Sequence, residues 1–252
     1  MRIDAHVHIS LFPNGEQLLK KLIDKNILPL AVSCDLNDSL LNQKLSLKYH
    51  TPFLAGIHPW YVESNSFNEQ LFFNLLASPL CLGIGECGLD IRKPLSLQQD
   101  ILKKQLDIAV SLDKPVSIHI YKTHGDLLKI LKGYKGKLRG MIHGFNFSKE
   151  LAREYLNLGF YLSFGRYLVK ESAKVSELLK FVPADFILLE TDADYKNHYT
   201  YDFDLPLLQY QVLSKLLNQD EASTESVLYK NFSNLFLGKH HDLRLFSGCL
   251  FN

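Results

Sequence analysis

The chain switches repeatedly between two hydrophobic periods. Short apolar runs flanked by turn residues alternate with longer stretches in which Leu and Ile recur every three or four positions. The first pattern predicts buried strands and the second predicts amphipathic helices. Strands are expected at Arg2–Ile9, Ile27–Ser33, Phe53–Ile57, Cys81–Glu86, Lys114–His119, Arg139–His143, Phe160–Phe164 and Asp185–Thr191. Helices are expected around Leu18–Ile23, over 38–48, after a Ser66/Glu69 capping box, and after Ser96 with Gln99. Further helices are expected around Leu127–Leu131, from Ser148 to a stop at Gly159, from Ser172, and over 206–217 and 224–236.

Each expected strand is followed by a helix. Eight such units with right-handed crossovers close most simply into a single (β/α)₈ TIM barrel of the α/β class. The 252-residue length suits one such barrel, which typically needs ~250 residues. An open doubly wound sheet is the alternative. It would hold the first and last strands apart, and no glycine-rich phosphate loop supports it. Gly83-Ile84-Gly85 lies inside a strand and opens no helix. No linker or repeat divides the chain, so residues 1–252 read as one domain, with a tail at 239–252 to which no role is assigned.

Hydrophobic residues make up 46% of the chain, enough for a large core. The formal net charge of +1 argues against a protein that coats nucleic acid by bulk electrostatics. Any positive charge used on a polyanion must be local. Cys34, Cys81, Cys87 and Cys249 are scattered without a C-x-x-C pair, which predicts free thiols in a reducing compartment. Charged and imidazole side chains interrupt the start of the chain, so no secretory signal is expected there. No apolar run approaches the ~20 residues of a membrane helix. The expectation is a cytoplasmic monomer without membrane contact.

Candidate chemistry begins in the first strand. In an extended Asp4-Ala5-His6-Val7-His8 segment, Asp4, His6 and His8 share one face. Such groups are costly to bury unless something pairs with them. The other strand ends add Glu86, His119, His143 and Asp192. A barrel places these ends on one rim, the face where such enzymes do chemistry. Imidazoles mixed with carboxylates suit Zn²⁺ or Mn²⁺, with Mg²⁺ less natural. Six ligands exceed one tetrahedral ion and match two divalent metal ions bridged by Glu86. The expected division is His6, His8, Glu86 and Asp192 on one ion, and Glu86, His119 and His143 on the other.

Asp4-Ala5-His6-Val7-His8, Gly56-Ile57-His58-Pro59-Trp60, Gly85-Glu86-Cys87-Gly88-Leu89-Asp90, Lys114-Pro115-Val116-Ser117-Ile118-His119, Met141-Ile142-His143-Gly144-Phe145 and Leu189-Glu190-Thr191-Asp192-Ala193 fall in one order along the chain. Together they resemble the TatD family of metal-dependent deoxyribonucleases in the amidohydrolase superfamily, over residues 1–238. The resemblance implies a barrel, a two-metal centre on the six residues above, and hydrolysis of DNA by a 3′–5′ exonuclease acting on single strands or 3′ ends. It implies that Asp192, beside Glu86, orients and deprotonates the attacking water. Asp4 and Asp90 are candidate acceptors that orient imidazoles. His58, Trp60, Tyr121, Lys122, Arg166 and His198 are candidate substrate contacts, and Trp60 could stack on a base.

Departures from the family pattern cluster around the substrate. Tyr121 stands where an arginine is usual, two residues after the strand 5 histidine. Ser10 replaces an acidic residue common after the first histidines. Asp192 is followed by Ala193-Asp194-Tyr195, where the family tends to have proline. These departures keep two alternatives open. One is an amidohydrolase-type ester or amide hydrolase on the same barrel, for example one acting like an aminoacyl-tRNA deacylase. The other is a non-catalytic metal-binding barrel.

Overall fold

The computed structural model describes residues 1–62, 67–170, 172–198 and 200–238, with the backbone alone at 172, 197 and 198. Eight strands form one parallel sheet in sequence order: β1 (Arg2–Val7), β2 (Ile27–Val32), β3 (Phe53–Ala55), β4 (Cys81–Asp90), β5 (Val116–Tyr121), β6 (Gly140–Ile142), β7 (Phe160–Phe164) and β8 (Ile187–Leu189). The ring closes where the segment after β8 returns to β1. The Asp192 amide donates to the His6 carbonyl at 2.9 Å, and the His8 amide donates to the Ala193 carbonyl at 3.0 Å. The fold is the expected TIM barrel.

Two apolar layers hold it together. Ile3, Ala5, Leu28, Leu30, Leu54, Leu82, Met141 and Leu188 come from six strands and pack on one another, which only the barrel interior permits. The helix Glu221–Phe236 plugs that interior with Phe232, Leu235 and Phe236. It does so at the end where the strands begin, since the Met1 ammonium meets Glu225 of this helix at 3.0 Å. The outer layer joins the sheet to the surrounding helices through residues such as Leu22, Phe53, Leu75, Leu102, Val116 and Leu162. The other mouth of the barrel is thereby left for the functional site.

Strict alternation fails along β1. Ile3 and Ala5 lie in the inner layer, whereas Val7 and Ile9 join the outer one. The β1–β2 register shifts between Asp4 and Val7. A bulge puts two consecutive side chains on the same side and re-aims those beyond it. Asp4 therefore does not share a face with His6 and His8, contrary to expectation. β4 carries a similar shift between Ile84 and Cys87, next to Glu86. Cys87 packs in the outer layer, away from that carboxylate.

Helix starts follow local chemistry with two differences. Ser148 caps Lys149–Asn157 as expected, accepting from the Leu151 amide at 3.3 Å. The expected Ser66 cap lies outside the described residues, and Asn68 caps Glu69–Leu76 by accepting from the Leu71 amide at 3.0 Å. Ser96 caps nothing, because the helix Leu95–Ser111 starts behind Pro94, whose ring presets the backbone for entry. Cys34, Cys81 and Cys87 are buried free thiols, while Cys249 and the 239–252 tail lie outside the described residues. Among the described residues, no helix is long and apolar enough to cross a membrane.

Candidate metal centre

Six side chains named from the sequence meet at the open mouth of the barrel around Glu86. The Glu86 Oε2 atom lies 3.3 Å from His6 Nε2 and 3.2 Å from His8 Nε2. Its Oε1 atom lies 2.6 Å from His119 Nδ1 and 2.8 Å from His143 Nε2. One carboxylate thus faces two pairs of imidazoles with its two oxygens. Asp192 Oδ1 approaches the first pair, at 3.8 Å from His6 Nε2 and 3.6 Å from His8 Nε2. Not all six sit at strand ends: Glu86 and His119 lie within their strands, and Asp192 lies beyond β8. His8 and His143 follow directly on their strands, and the register shifts lie beside His6 and Glu86.

The outer nitrogens decide what the inner ones can do. His8 Nδ1 donates to the Val32 carbonyl at 3.2 Å. His6 Nδ1 lies 3.2 Å from Ser117 Oγ, and His119 Nε2 lies 3.1 Å from Asp90 Oδ2. His143 Nδ1 faces Glu190 Oε1 at 3.5 Å. Three of these outer nitrogens lie within hydrogen-bond distance of an oxygen that can hold the ring proton on that side in the neutral form, whereas His143 Nδ1 makes no hydrogen bond. The inner nitrogens then present lone pairs to carboxylate oxygens. Lone pairs this close repel unless a cation or extra protons lie between them, so the donor set fits a metal ion.

His58 has the opposite polarity. Its Nδ1 accepts from the Trp60 amide at 3.0 Å, and its Nε2 points at Glu86 Oε1 from 3.5 Å. Burial pushes its pKa down to about 3, so the ring is neutral. The proton is left on Nε2, which makes His58 a fixed donor into the site. His58, Glu86 and His119 have atoms close enough to surround an ion. The Trp60 bond argues against His58 as a ligand, because its inner nitrogen has no free lone pair in this tautomer.

Charge follows the same geometry. Burial opposes ionisation of Glu86, but protons carried by the surrounding imidazoles, His143 first, outweigh it and hold the carboxyl well below its ordinary range, the same demand for positive charge that a cation would meet. Burial likewise opposes the charge on Asp90, and His119 and Arg92 hold that carboxyl far down. Asp192 adopts φ 49°, a left-handed conformation uncommon for a non-glycine residue and often found at functional sites.

The surrounding residues divide. Asp90 accepts from His119, as an orienting carboxylate should, and also from Trp60 Nε1 at 2.8 Å. Asp4 orients no imidazole. Its carboxylate accepts from the Thr191 amide at 2.9 Å, the Thr191 hydroxyl at 2.6 Å and the Tyr201 hydroxyl at 2.8 Å, which fixes the chain leading to Asp192. Trp60 lines a cavity of about 220 Å³ together with His8, His58, Glu86, His143 and Asp192. Tyr121 is partly exposed, with Lys122 Nζ 5.5 Å from its ring centre. Arg166 lines a separate cavity of about 320 Å³ beside Lys170 and Thr191. The His198 side chain lies outside the described residues.

Two residues were missed from the sequence. Glu190, 1% exposed, was legible: a carboxylate in an expected buried strand needs a partner, and His143 was a candidate. Arg92 carried no such signal: Asp90 is near it in sequence, but the Trp60 and Tyr121 rings it rests on come from other strands.

The sequence profile of the TatD related DNase family matches residues 3–237. The chain belongs to that family. Membership makes it a metal-dependent hydrolase, and TatD relatives agree along its length. It is 31% identical over 257 residues to an uncharacterized metal-dependent hydrolase of Buchnera aphidicola subsp. Baizongia pistaciae, covering 93% of this chain and 95% of the relative. It is 33% identical over 178 residues to a protein of Citrobacter koseri named 3′-5′ ssDNA/RNA exonuclease TatD, covering 66% and 67%. Among solved structures, the TatD homologue YjjV of Escherichia coli K12 superposes with a TM-score of 0.81 at 22% identity, over 94% of this chain and 98% of that one. A TatD family hydrolase of Entamoeba histolytica gives 0.80 at 18% identity, over 94% and 98%. These last two likenesses establish the fold.

Proposed function

We propose that the protein hydrolyses phosphodiester bonds of DNA from 3′ ends, with two divalent cations held by His6, His8, Glu86, His119, His143 and Asp192. The observation that carries this reading is the convergence of four imidazoles, each with one nitrogen toward Glu86 or Asp192 and the other toward an oxygen of the surrounding chain. The division of Glu86 into two oxygens, each facing two imidazoles, supports a bridging role. The name of the Citrobacter koseri relative supports the 3′–5′ direction and a single-stranded substrate.

When bound, divalent cations at such a site polarise a phosphoryl oxygen and acidify water near neutral pH. The chain's own groups do the rest. Asp192, at the end of the left-handed turn, orients the attacking water and takes its proton. His58 Nε2–H donates to an oxygen of the phosphodiester, a contact that gains strength as negative charge grows there. Asp90 and Glu190 hold the His119 and His143 rings in place.

The test is hydrolysis of a 3′-labelled single-stranded oligonucleotide after chelation and readdition of Mn²⁺ or Mg²⁺. The Glu86→Gln and Asp192→Asn variants are expected to lose at least about 100-fold in turnover. Full activity in either variant would remove the two-cation mechanism. Turnover of an aminoacyl ester with no action on DNA would favour carbonyl hydrolysis instead.

A further inference from the structure

We propose that Trp60, Arg92 and Tyr121 form a nucleobase-stacking platform that takes an unpaired base beside the imidazole cluster. The proposal rests on the nuclease reading above and adds the part of the substrate that the cluster itself does not touch.

Three elements supply the platform. Trp60 follows β3, Arg92 follows β4, and Tyr121 ends β5. The Arg92 guanidinium carbon lies 4.4 Å from the Trp60 ring centre and 4.1 Å from the Tyr121 ring centre. Asp90 fixes the arrangement. Its Oδ1 accepts from the Arg92 amide and from Arg92 Nε, both at 2.9 Å. Its Oδ2 accepts from Arg92 Nη2 at 2.5 Å, from Trp60 Nε1 at 2.8 Å and from His119 Nε2 at 3.1 Å. One buried carboxylate therefore ties two platform members to a ring of the cluster. The third, Tyr121, stands in β5 two residues beyond His119 and meets the Arg92 plane.

The chemistry of this group suits a base better than a phosphate. Asp90 neutralises the Arg92 charge with a two-pronged contact, so the guanidinium is not free to clamp an anion. Arg92 already covers one face of each ring, so what remains is the opposite face of two fixed aromatic rings. Trp60 is 42% exposed and Tyr121 37%, and the Arg92 side chain is 47% exposed. Large flat groups held rigidly, yet left in water, are pre-organised to receive another flat group. Trp60 and Arg92 line the same cavity as Glu86, His119 and Asp192. A base resting there would accompany the phosphodiester into the site. Stacking tolerates any base, but the base must be unpaired. The platform therefore selects single-stranded ends without reading sequence.

Trp60 is the single tryptophan of the chain, so its fluorescence reports the platform directly. The metal-loaded protein is titrated with a phosphorothioate-linked oligothymidylate and with the same strand carrying abasic sugars at its 3′ end. Quenching by the base-bearing strand is expected, with the abasic strand needing on the order of 10-fold more for half-saturation. Tyr121→Ala and Arg92→Lys should each raise KM for oligonucleotide hydrolysis by on the order of 10-fold, and Tyr121→Phe should retain the wild-type value. Equal quenching by both strands would overturn the platform, while leaving the nuclease reading intact if hydrolysis persists. Loss of binding in Tyr121→Phe equal to that in Tyr121→Ala would also overturn it. Absence of metal-dependent hydrolysis with base-dependent quenching retained would instead refute the nuclease reading and keep the base site.

Discussion

Glu190 Oε1 lies 3.5 Å from His143 Nδ1 and accepts a 2.5 Å hydrogen bond from the Gly144 amide. The carboxylate thereby sits behind the ring whose other nitrogen reaches Glu86, facing Nδ1 by charge and not through a hydrogen bond. Its second oxygen is buried with no hydrogen-bond partner among the described residues. Glu190→Gln keeps the shape and the Gly144 contact but removes the negative charge behind the imidazole. Outer partners of metal-binding histidines typically contribute 10–100-fold to metal affinity. A loss of about that size is expected in a Zn²⁺ or Mn²⁺ titration by calorimetry, with an unchanged far-ultraviolet spectrum.

His58 separates a donor from a ligand. If its Nε2–H donates into the site, His58→Ala keeps the full metal stoichiometry and loses turnover. Removal of one such donor typically costs 10²–10³ in kcat. Elemental analysis of the purified variant beside its kinetics checks both halves. A fall in metal content would make His58 a ligand.

Gly88 has no room for a side chain. A Cβ there would lie 1.9 Å from the His119 carbonyl oxygen, and this is backbone that cannot swing aside. Gly88 pairs with His119 in the β4–β5 ladder, so Gly88→Ala would push apart the two strands that carry Glu86 and His119. Overpacking against rigid backbone costs about 3 kcal/mol or more. A urea midpoint well below wild type is expected, together with weakened metal binding.

His124 carries part of the acid sensitivity. Burial holds its pKa below the ordinary 6.5, beside the Tyr155 hydroxyl at 3.0 Å and the Phe147 ring. The unfolded chain therefore takes up this proton before the folded one does. The contribution of neutral His124 is complete above the unfolded value and is lost as pH falls through it. Urea midpoints of the metal-free protein should drop between about pH 7.5 and about pH 5.5, and less so in His124→Gln. An identical drop in the variant would clear His124.

The sequence by itself determined the barrel and the membership of its central cluster. The alternation of apolar runs with helical periodicity required eight strand–helix units, and burial of His6, Glu86, His119 and His143 in those runs demanded partners for them. Tertiary structure alone decided how these groups face one another. The shift between Asp4 and Val7 broke the alternation that would have grouped Asp4 with His6, because a bulge leaves no mark in a hydrophobic pattern. It likewise decided that Arg92 would rest on Trp60 and Tyr121. Local periodicity fixes which face a side chain takes within its own strand. Contacts between residues of different strands arise only when those strands pair in the sheet.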